Sequence, residues 1–334
     1  MKKTLIFGSL LVCVFVSAGQ GREIRMGSPE FYKALKDGPV AKFTLRIVDA
    51  DGIAVSRANS QISYAMESSQ WIKGLSDTNG LFSAEGRSQG ETLYYVEKEG
   101  YYPTSITVKF GRQEGIVIKD GKWQPWDTTN TVVLKKIRNP VPMYAKRVET
   151  FLPSLSGEGV GYDLMVGDWV SPYGKGEKGD FVFKIMRRRV PSWADFDALL
   201  SLKYSNEKDG VRKRECAVEC GSTFPWAYNA SEDGYSGSLQ VSVGYTPGKG
   251  YFETNESAAC YFRIRTVTNE QGGVVSSRYG KMPEPIKFDV RDTKTGWLKF
   301  TYYLNPTPND RNMEFDPKRN LMKNLKSTEQ VNMP

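Results

Sequence analysis

The chain has 334 residues, with 46 Lys and Arg against 38 Asp and Glu, and a formal charge of +8 at neutral pH. It contains no histidine, which excludes Ser-His-Asp and Cys-His triads, His-ligated zinc and HExxH chemistry. An aromatic share of 12% and 32 glycines favour strands joined by tight turns, and the length suits two domains.

In chain order, the first element is an export leader. Lys2 and Lys3 precede an apolar run from Leu5 to Val16, followed by Ser17-Ala18-Gly19. A basic start, a short apolar core and small residues predict a signal peptide over residues 1–18, cleaved after Ala18. The run is shorter than the roughly 20 residues that a spanning helix needs. No later segment is apolar enough to span a membrane. The mature chain is therefore expected outside the cytoplasm: periplasmic, on the cell surface or secreted.

Residues 19–40 form a lead-in. Residues 41–137 then read as about seven short strands with turn signals every 8 to 12 residues, the pattern of a β-sandwich. Phe43, Leu45 and Ile47 alternate with polar residues, and Asp51-Gly52 and Asp77-Thr78-Asn79-Gly80 mark turns. Calcium is the metal that such turn oxygens suit. Both segments lack the further ligands of a full loop, so hairpin turns are the preferred reading, and no cofactor or metal site is expected.

The same residues carry a resemblance. Arg46-Ile47-Val48-Asp49-Ala50-Asp51-Gly52, then Ser76-Asp77-Thr78-Asn79-Gly80-Leu81-Phe82, then Glu97-Lys98-Glu99-Gly100-Tyr101-Tyr102-Pro103 are similar to the carboxypeptidase regulatory-like domain. Ser76 stands where that family usually has Thr, and the stretch after the first turn departs from its pattern. The resemblance implies a prealbumin-like sandwich that serves as a structural or binding module and carries no catalytic residue.

Residues 138–158 form a proline-bearing connector. Period-two patterning resumes over residues 159–304: Phe181 and Phe183; Phe196, Ala198, Leu200, Leu202 and Tyr204; Leu239, Val241, Val243 and Tyr245; Cys260, Phe262 and Ile264. This predicts a second, larger β-sandwich, unassigned to a characterised family. No helix longer than a turn or two is expected. The fold class is all-β, two β-sandwich domains, the first prealbumin- or Ig-like. Residues 305–334 read as an irregular segment packed on the second domain, with Phe315 as its main anchor.

Three cysteines follow the leader. Four residues of extended chain separate Cys216 from Cys220 by about 13 Å, beyond the roughly 7 Å that a disulfide bridges. Any bridge should therefore join Cys260 to Cys216 or to Cys220. The basic clusters Arg187-Arg188-Arg189 and Arg212-Lys213-Arg214 read as solvated faces and edge protection. The net charge would favour anionic partners such as lipopolysaccharide or acidic glycans, while export argues against nucleic acid.

The ligand-binding candidates are Trp123 and Trp126, in a Trp-Gln-Pro-Trp segment, and Trp226 and Tyr228, in a Phe-Pro-Trp-Ala-Tyr segment. Exposed Trp and Tyr offer flat apolar platforms with a polar edge, suited to sugar faces or to a protein partner. The functional expectation is an exported, non-catalytic protein that binds a glycan or an envelope or surface protein. Its oligomeric state is open. The alternative is an exported hydrolase of glycosidase type, which needs two carboxylates about 5–9 Å apart. Asp163 with Asp168, or Glu314 with Asp316, are the pairs that could supply them.

Overall fold

The computed structural model describes residues 23–64, 71–110, 115–155, 157–189, 194–215, 221–256, 259–291 and 295–334. The expected leader, Cys216 and Cys220 lie outside the described residues. The fold is all-β, with sheets arranged as two sandwich-like units. The first unit comprises the chain up to Val48, Ala54–Val96 and Ile106–Val132. The second comprises Asp49–Ile53, Glu97–Ser105 and Val133–Pro334. The block 41–137 drawn from sequence thus contributes two short stretches and its C-terminal end to the second unit.

The elements up to residue 136 are β1 (Glu23–Arg25), α1 (Pro29–Asp37), β2 (Val40–Asp49), β3 (Asn59–Tyr64), β4 (Trp71–Leu75), β5 (Leu81–Arg87), β6 (Glu91–Glu97), β7 (Tyr101–Tyr102), β8 (Thr104–Lys109), β9 (Ile116–Lys119), β10 (Lys122–Trp123) and β11 (Thr128–Lys136). In the first unit one sheet runs β1-β9-β10-β2-β11, with β5 also on β2, and the other runs β4-β3-β6-β8. Phe43, Leu45 and Ile47 alternate inward from β2 and are fully buried. Phe43 meets Tyr94 of the other sheet with ring centroids 6.1 Å apart. At the Asp77 turn, the carboxylate Oδ1 accepts from Asn79 N at 2.9 Å and Leu81 N at 2.8 Å. Gly80 has φ +75°, and a Cβ there would lie 2.3 Å from Ile47 O, so the turn needs glycine on both counts.

The lead-in holds a nine-residue helix, α1, where no helix of that length was expected. Ser28 caps it by accepting from Phe31 N at 3.2 Å, Pro29 opens it, and Gly38 closes it in the left-handed region at φ 64°. Only Phe31 is buried from this helix. Phe31, Ala34 and Leu35 stand at the i, i+3, i+4 spacing of one helix face, with Ala34 and Leu35 half-buried, but one repeat over nine residues is too short a run to stand out as a period.

The second unit continues with β12 (Tyr144–Phe151), β13 (Val160–Asp163), β14 (Asp168–Trp169), β15 (Phe181–Arg187), β16 (Phe196–Lys203), β17 (Gly210–Lys213), β18 (Ser238–Thr246), β19 (Gly250–Asn255), β20 (Cys260–Thr268), β21 (Val274–Met282), β22 (Lys287–Asp289) and β23 (Trp297–Leu304). One sheet runs β12-β23-β21-β20-β17 with β22 on β23; the other runs β14-β13-β15-β16-β18-β19. Their inner faces share one core. Phe181 of β15 meets Phe262 of β20 edge-to-face at 5.1 Å, and Phe183 meets Phe300 at 5.2 Å. Each such side chain contributes roughly 1.5–3 kcal/mol by leaving water. Cys260 is buried in the same core, and burial pushes its thiol up to about 12.

The outer face of the β12-β23-β21-β20-β17 sheet is also covered. Tyr261, Tyr279, Phe224, Trp226 and Met313 form one cluster there, and Ala145, Tyr303, Phe315 and Val331 form another. The cover comes from the 221–235 loop and from the chain after Leu304. Residues 305–334 are therefore a strap. Leu321 N donates to Met143 O, and Arg147 N donates to Glu329 O, both at 2.9 Å, along β12. Phe315 is fully buried and meets Tyr303 at 5.2 Å. No helix among the described residues is long and apolar enough to cross a membrane.

Candidate functional site

The four aromatic candidates are not a set of open platforms. In the first unit, Trp123 is buried, sits between Phe110 at 5.6 Å and Phe31 at 6.2 Å, and donates from Nε1 to Ser88 O. It plugs that unit's core and offers no open face. Trp126 is half-buried, with Lys122 Nζ 4.7 Å from its ring centroid. In the second unit Trp226 is buried as well, packed edge-to-face on Tyr261 at 5.2 Å. Tyr228 is half-buried. The Arg138 guanidinium lies 3.8 Å from its ring centroid and Lys135 Nζ 4.9 Å. Its hydroxyl donates to Lys136 O at 2.6 Å.

These rings hold cations. Lys135 on β11 and Lys281 on β21 are both buried, and their amines lie 5.0 and 4.9 Å from the same Phe224 centroid. Lys281 Nζ also sits 4.7 Å from Tyr303 and 5.4 Å from Trp226, and it donates to Met313 O at 2.7 Å. Lys135 Nζ donates to Trp226 O. Aromatic faces stabilise desolvated ammonium groups through their quadrupoles. Burial still drives Lys281 well below the usual lysine range; Glu314 offsets part of this, and Lys135 adds to it.

Glu314 is the buried counter-charge. Its Oε1 accepts from the Tyr102 hydroxyl at 3.0 Å and from Arg138 N at 2.9 Å, and its Oε2 accepts from Asn139 N at 2.9 Å. Burial, then the Glu314 charge, raises the Tyr102 phenol far above its ordinary value. Neither buried lysine had a sequence signal. Lys281 lies on the outer face of β21, and only the strap and the 221–235 loop make that face an interior.

Beside this cluster opens a cavity of about 470 Å³. Lys135, Arg212, Lys213 and Arg214 line it, with Glu215 as the acidic residue of the lining. Pro225, Ala227, Tyr228 and Tyr261 supply a less polar wall. β17 places Arg212 and Lys213, and the chain just after it places Arg214 and Glu215. Arg212 is fixed by donation from Nη1 to Asp233 O at 2.7 Å, and Arg214 by donation from Nη1 to Pro225 O at 2.9 Å. Arg214 also lies 5.2 Å from the Trp226 centroid. Glu215 approaches Arg212 at 3.4 Å, but its side chain is 90% exposed. The triplet read from sequence as a solvated face thus lines a concave site, next to the loop that carries Trp226 and Tyr228. Arg212 pairs with Tyr261 across β20 and shares its face, whereas Lys213 pairs with Cys260 and leaves β17 on the other; the Lys135 amine is committed to Trp226 O, so the guanidinium groups of Arg212 and Arg214 supply the positive field among the described residues. The arrangement can hold an anion through charge-assisted hydrogen bonds.

The carboxylates considered for hydrolysis are committed to the fold. Asp163 is buried and accepts from four backbone amides, Met165, Val166, Glu177 and Lys178, and from Arg265 Nη2 at 2.9 Å. Burial alone would raise its carboxyl, but the amides outweigh that and hold it below the usual range. Asp168 accepts from Trp169 N and Lys175 N, both at 2.9 Å. Asp316 caps the 3-10 turn Pro317–Arg319 and pairs with Arg319 at 2.6 Å. Glu314 accepts as described above. An acid whose oxygens are taken by fixed backbone donors is poorly placed to shuttle a proton. The turn carboxylates of Asp49 and Asp77 are likewise engaged. Asp49 Oδ1 accepts from Asp51 N and Ile53 N at 3.0 Å, and its Oδ2 pairs with Lys136 at 3.1 Å.

No protein-family model matches the chain, and no curated protein matches it. Among solved structures it is similar to 3-chlorocatechol 1,2-dioxygenase from Rhodococcus opacus 1CP, at 13% identity over 30% of this chain and 61% of that one, with a TM-score of 0.24. It is similar to a streptococcal ancillary pilin, at 12% identity over 79% of this chain and 59% of that one, with a TM-score of 0.22. A DUF3823 family protein from Parabacteroides merdae gives 11% identity over 84% of this chain and 100% of that one, with a TM-score of 0.21. The chain spans about three fifths of the length of the first two. Likenesses at these scores carry no argument, and the reading of the site rests on its own residues.

Proposed function

We propose that the chain is an exported, non-catalytic binding protein that captures an acidic glycan in the cavity beside Tyr228. The observation that carries this is the pair of guanidinium groups, Arg212 and Arg214, lining one space with Tyr228 and Tyr261, with the Glu215 side chain 90% exposed. The less polar wall of Pro225, Ala227 and Tyr261 suits a sugar ring. The basic-apolar-small pattern of residues 1–18 supports export. The Asp77 turn, with its glycine requirement at residue 80, supports reading residues 41–137 as a carboxypeptidase regulatory-like module.

The test is a glycan array on the mature chain, with neutral and acidic members, followed by tryptophan-fluorescence titration of the hits. Binding restricted to acidic glycans, without release of reducing sugar, is the expected result. Reducing-sugar release would move the reading to a hydrolase. An empty array together with capture of one envelope protein would move it to a protein partner. Edman sequencing of the exported product should begin at Gly19.

A further inference from the structure

We infer that the open edge of β19 pairs with the same edge of a second copy of this chain, joining two six-stranded sheets into one across a two-fold axis.

The first argument is a contrast among edges. The sandwich of the second unit blunts its other edges itself. The strap bonds β12 at Arg147 N. Val211 of β17 exchanges backbone bonds with Ser236, at 2.9 and 2.8 Å. Along β14, Gly176 N donates to Trp169 O at 2.8 Å. β22 is three residues long and carries the exposed Lys287. Short edges, edge lysines and covering segments all keep another chain from pairing. β19 ends its sheet, runs six residues in unbroken register with β18, and contains no lysine, proline or bulge. Tyr251 is 60% exposed and Phe252 39%. Among the described residues, no strand covers its far side.

The second argument is register. Glu256 N donates to Gln240 O, and the ladder pairs Thr254 with Ser242, Phe252 with Gly244 and Gly250 with Thr246. In an antiparallel ladder alternate pairs exchange the backbone bonds. The even-numbered residues therefore spend their N–H and C=O groups on β18, and Tyr251 and Glu253 direct theirs to the open side. A two-fold axis at Glu253 would set two carboxylates directly opposite, which is unfavourable. An axis at Tyr251 would run the pairing off the strand into the turn at residues 247–249. An axis at Phe252 pairs Tyr251 with the partner's Glu253 and Glu253 with the partner's Tyr251, each pair exchanging two backbone bonds. Within one copy the Tyr251 hydroxyl already donates to Glu253 Oε2 at 3.0 Å, and the same two groups stand opposite each other across this axis. The two Phe252 side chains meet on the outer face at a non-hydrogen-bonded pair, where Cα atoms lie about 4.5 Å apart. One surface thus serves both copies, as a two-fold interface requires.

The third argument is space. Tyr251 and Glu253 stand opposite Tyr245 and Val243 in the ladder, so their side chains take the inner face. A cavity of about 310 Å³ lies on that face, lined by Val243, Tyr245, Tyr251, Phe288, Asp289 and Arg291 together with Phe196. The partner's Tyr251, one strand beyond Glu253, continues the inner face and brings an aromatic side chain to the side of the sandwich that β19 leaves open.

The experiment uses the full mature chain. Sedimentation equilibrium at rising micromolar concentration should show the mass climbing to twice that of the monomer. Amide hydrogen exchange should slow with concentration at Tyr251 and Glu253, by about tenfold or more, and stay slow at Phe252 and Thr254 throughout. Phe252→Lys sets two ammonium groups on the axis and should weaken the dimer about tenfold. Glu253→Pro removes an outward amide, spares the bonds to β18 and should give a monomer. Val275→Lys, at a 55% exposed position of β21, should leave the dimer unchanged. Near-UV circular dichroism verifies folding. Oxidised Phe252→Cys should cross-link two copies beyond the level of the native chain, and Thr254→Cys should not, because the axis brings only residue 252 opposite itself within disulfide reach. A monomer at every concentration overturns the proposal. A dimer that tolerates both Phe252→Lys and Glu253→Pro also overturns it, since another surface then holds the copies together. Cross-linking at residue 254 and not at 252 overturns the register.

Discussion

Lys281 and Met313 are joined by one buried hydrogen bond, from the lysine Nζ to the Met313 carbonyl at 2.7 Å. It ties the outer face of a strand to the strap that covers it. At Arg311 and at Met313 itself, the strap bonds the 221–235 loop: Ala230 N donates to Arg311 O and Met313 N donates to Tyr228 O, both at 2.8 Å. The loop that forms one wall of the cavity is thus held from behind by the C-terminal chain.

Lys281 should make stability depend on pH. Burial depresses its pKa in the fold below the ordinary 10.5. The unfolded chain therefore binds more protons between the two values, and stability rises with pH across that window. The lysine's contribution is complete above 10.5 and is lost as pH falls through the depressed value. Lys281→Met should be most favourable relative to the native chain at neutral pH, with the advantage shrinking toward pH 10.5. Urea unfolding of both proteins across that range measures it, and a pH-independent difference would refute the assignment.

Glu314→Gln should destabilise the second unit by about 2–3 kcal/mol. The carboxylate accepts from Tyr102, Arg138 N and Asn139 N, and an amide would turn one NH₂ group toward a donor. Chemical denaturation is the readout. A neutral substitution would mean that the donors find other acceptors.

Phe315→Ala should cost about 3–5 kcal/mol, since the ring is fully buried against Tyr303. Lys318→Ala, at an exposed side chain, should stay within about 0.5 kcal/mol. Paired thermal melts separate the two.

Arg265→Met should cost about 3–5 kcal/mol. Its guanidinium bridges Asp163 at 2.9 Å and Asp180 at 2.7 Å, both buried, and its removal leaves two carboxylates without their counter-ion. Burial raises Asp180, and Arg265 offsets part of that rise. The variant's loss should therefore shrink at acid pH, where Asp180 can take up its proton.

The strands of both sandwiches were legible because their side chains alternate. Phe181, Phe183, Ala198, Leu200, Val241 and Phe262 are all core residues, and period two is a local property of sequence. The Asp77 turn was legible for the same local reason. What escaped was the covering of a sheet's second face. Trp226 reads as a loop aromatic, and its burial depends on Tyr261, Arg214 and the strap, which are remote in sequence. Lys281 reads as an ordinary outward lysine, and a carbonyl 32 residues later makes it an interior one. The Arg212-Lys213-Arg214 triplet was visible as charge; its concave setting came from residues 225–228 and 261.

The strap has a further consequence for how the molecule tolerates proteolysis or terminal fusion. By bonding Met143 O, just before β12, and Arg147 N within it, residues 321 and 329 occupy edge backbone groups that another chain could otherwise pair with. Clipping within 320–334 would expose a ready template for strand addition. The shortened protein would then self-associate into oligomers or fibres before it lost its sandwich core. Residues 321–334 guard the molecule's solubility as much as its folding.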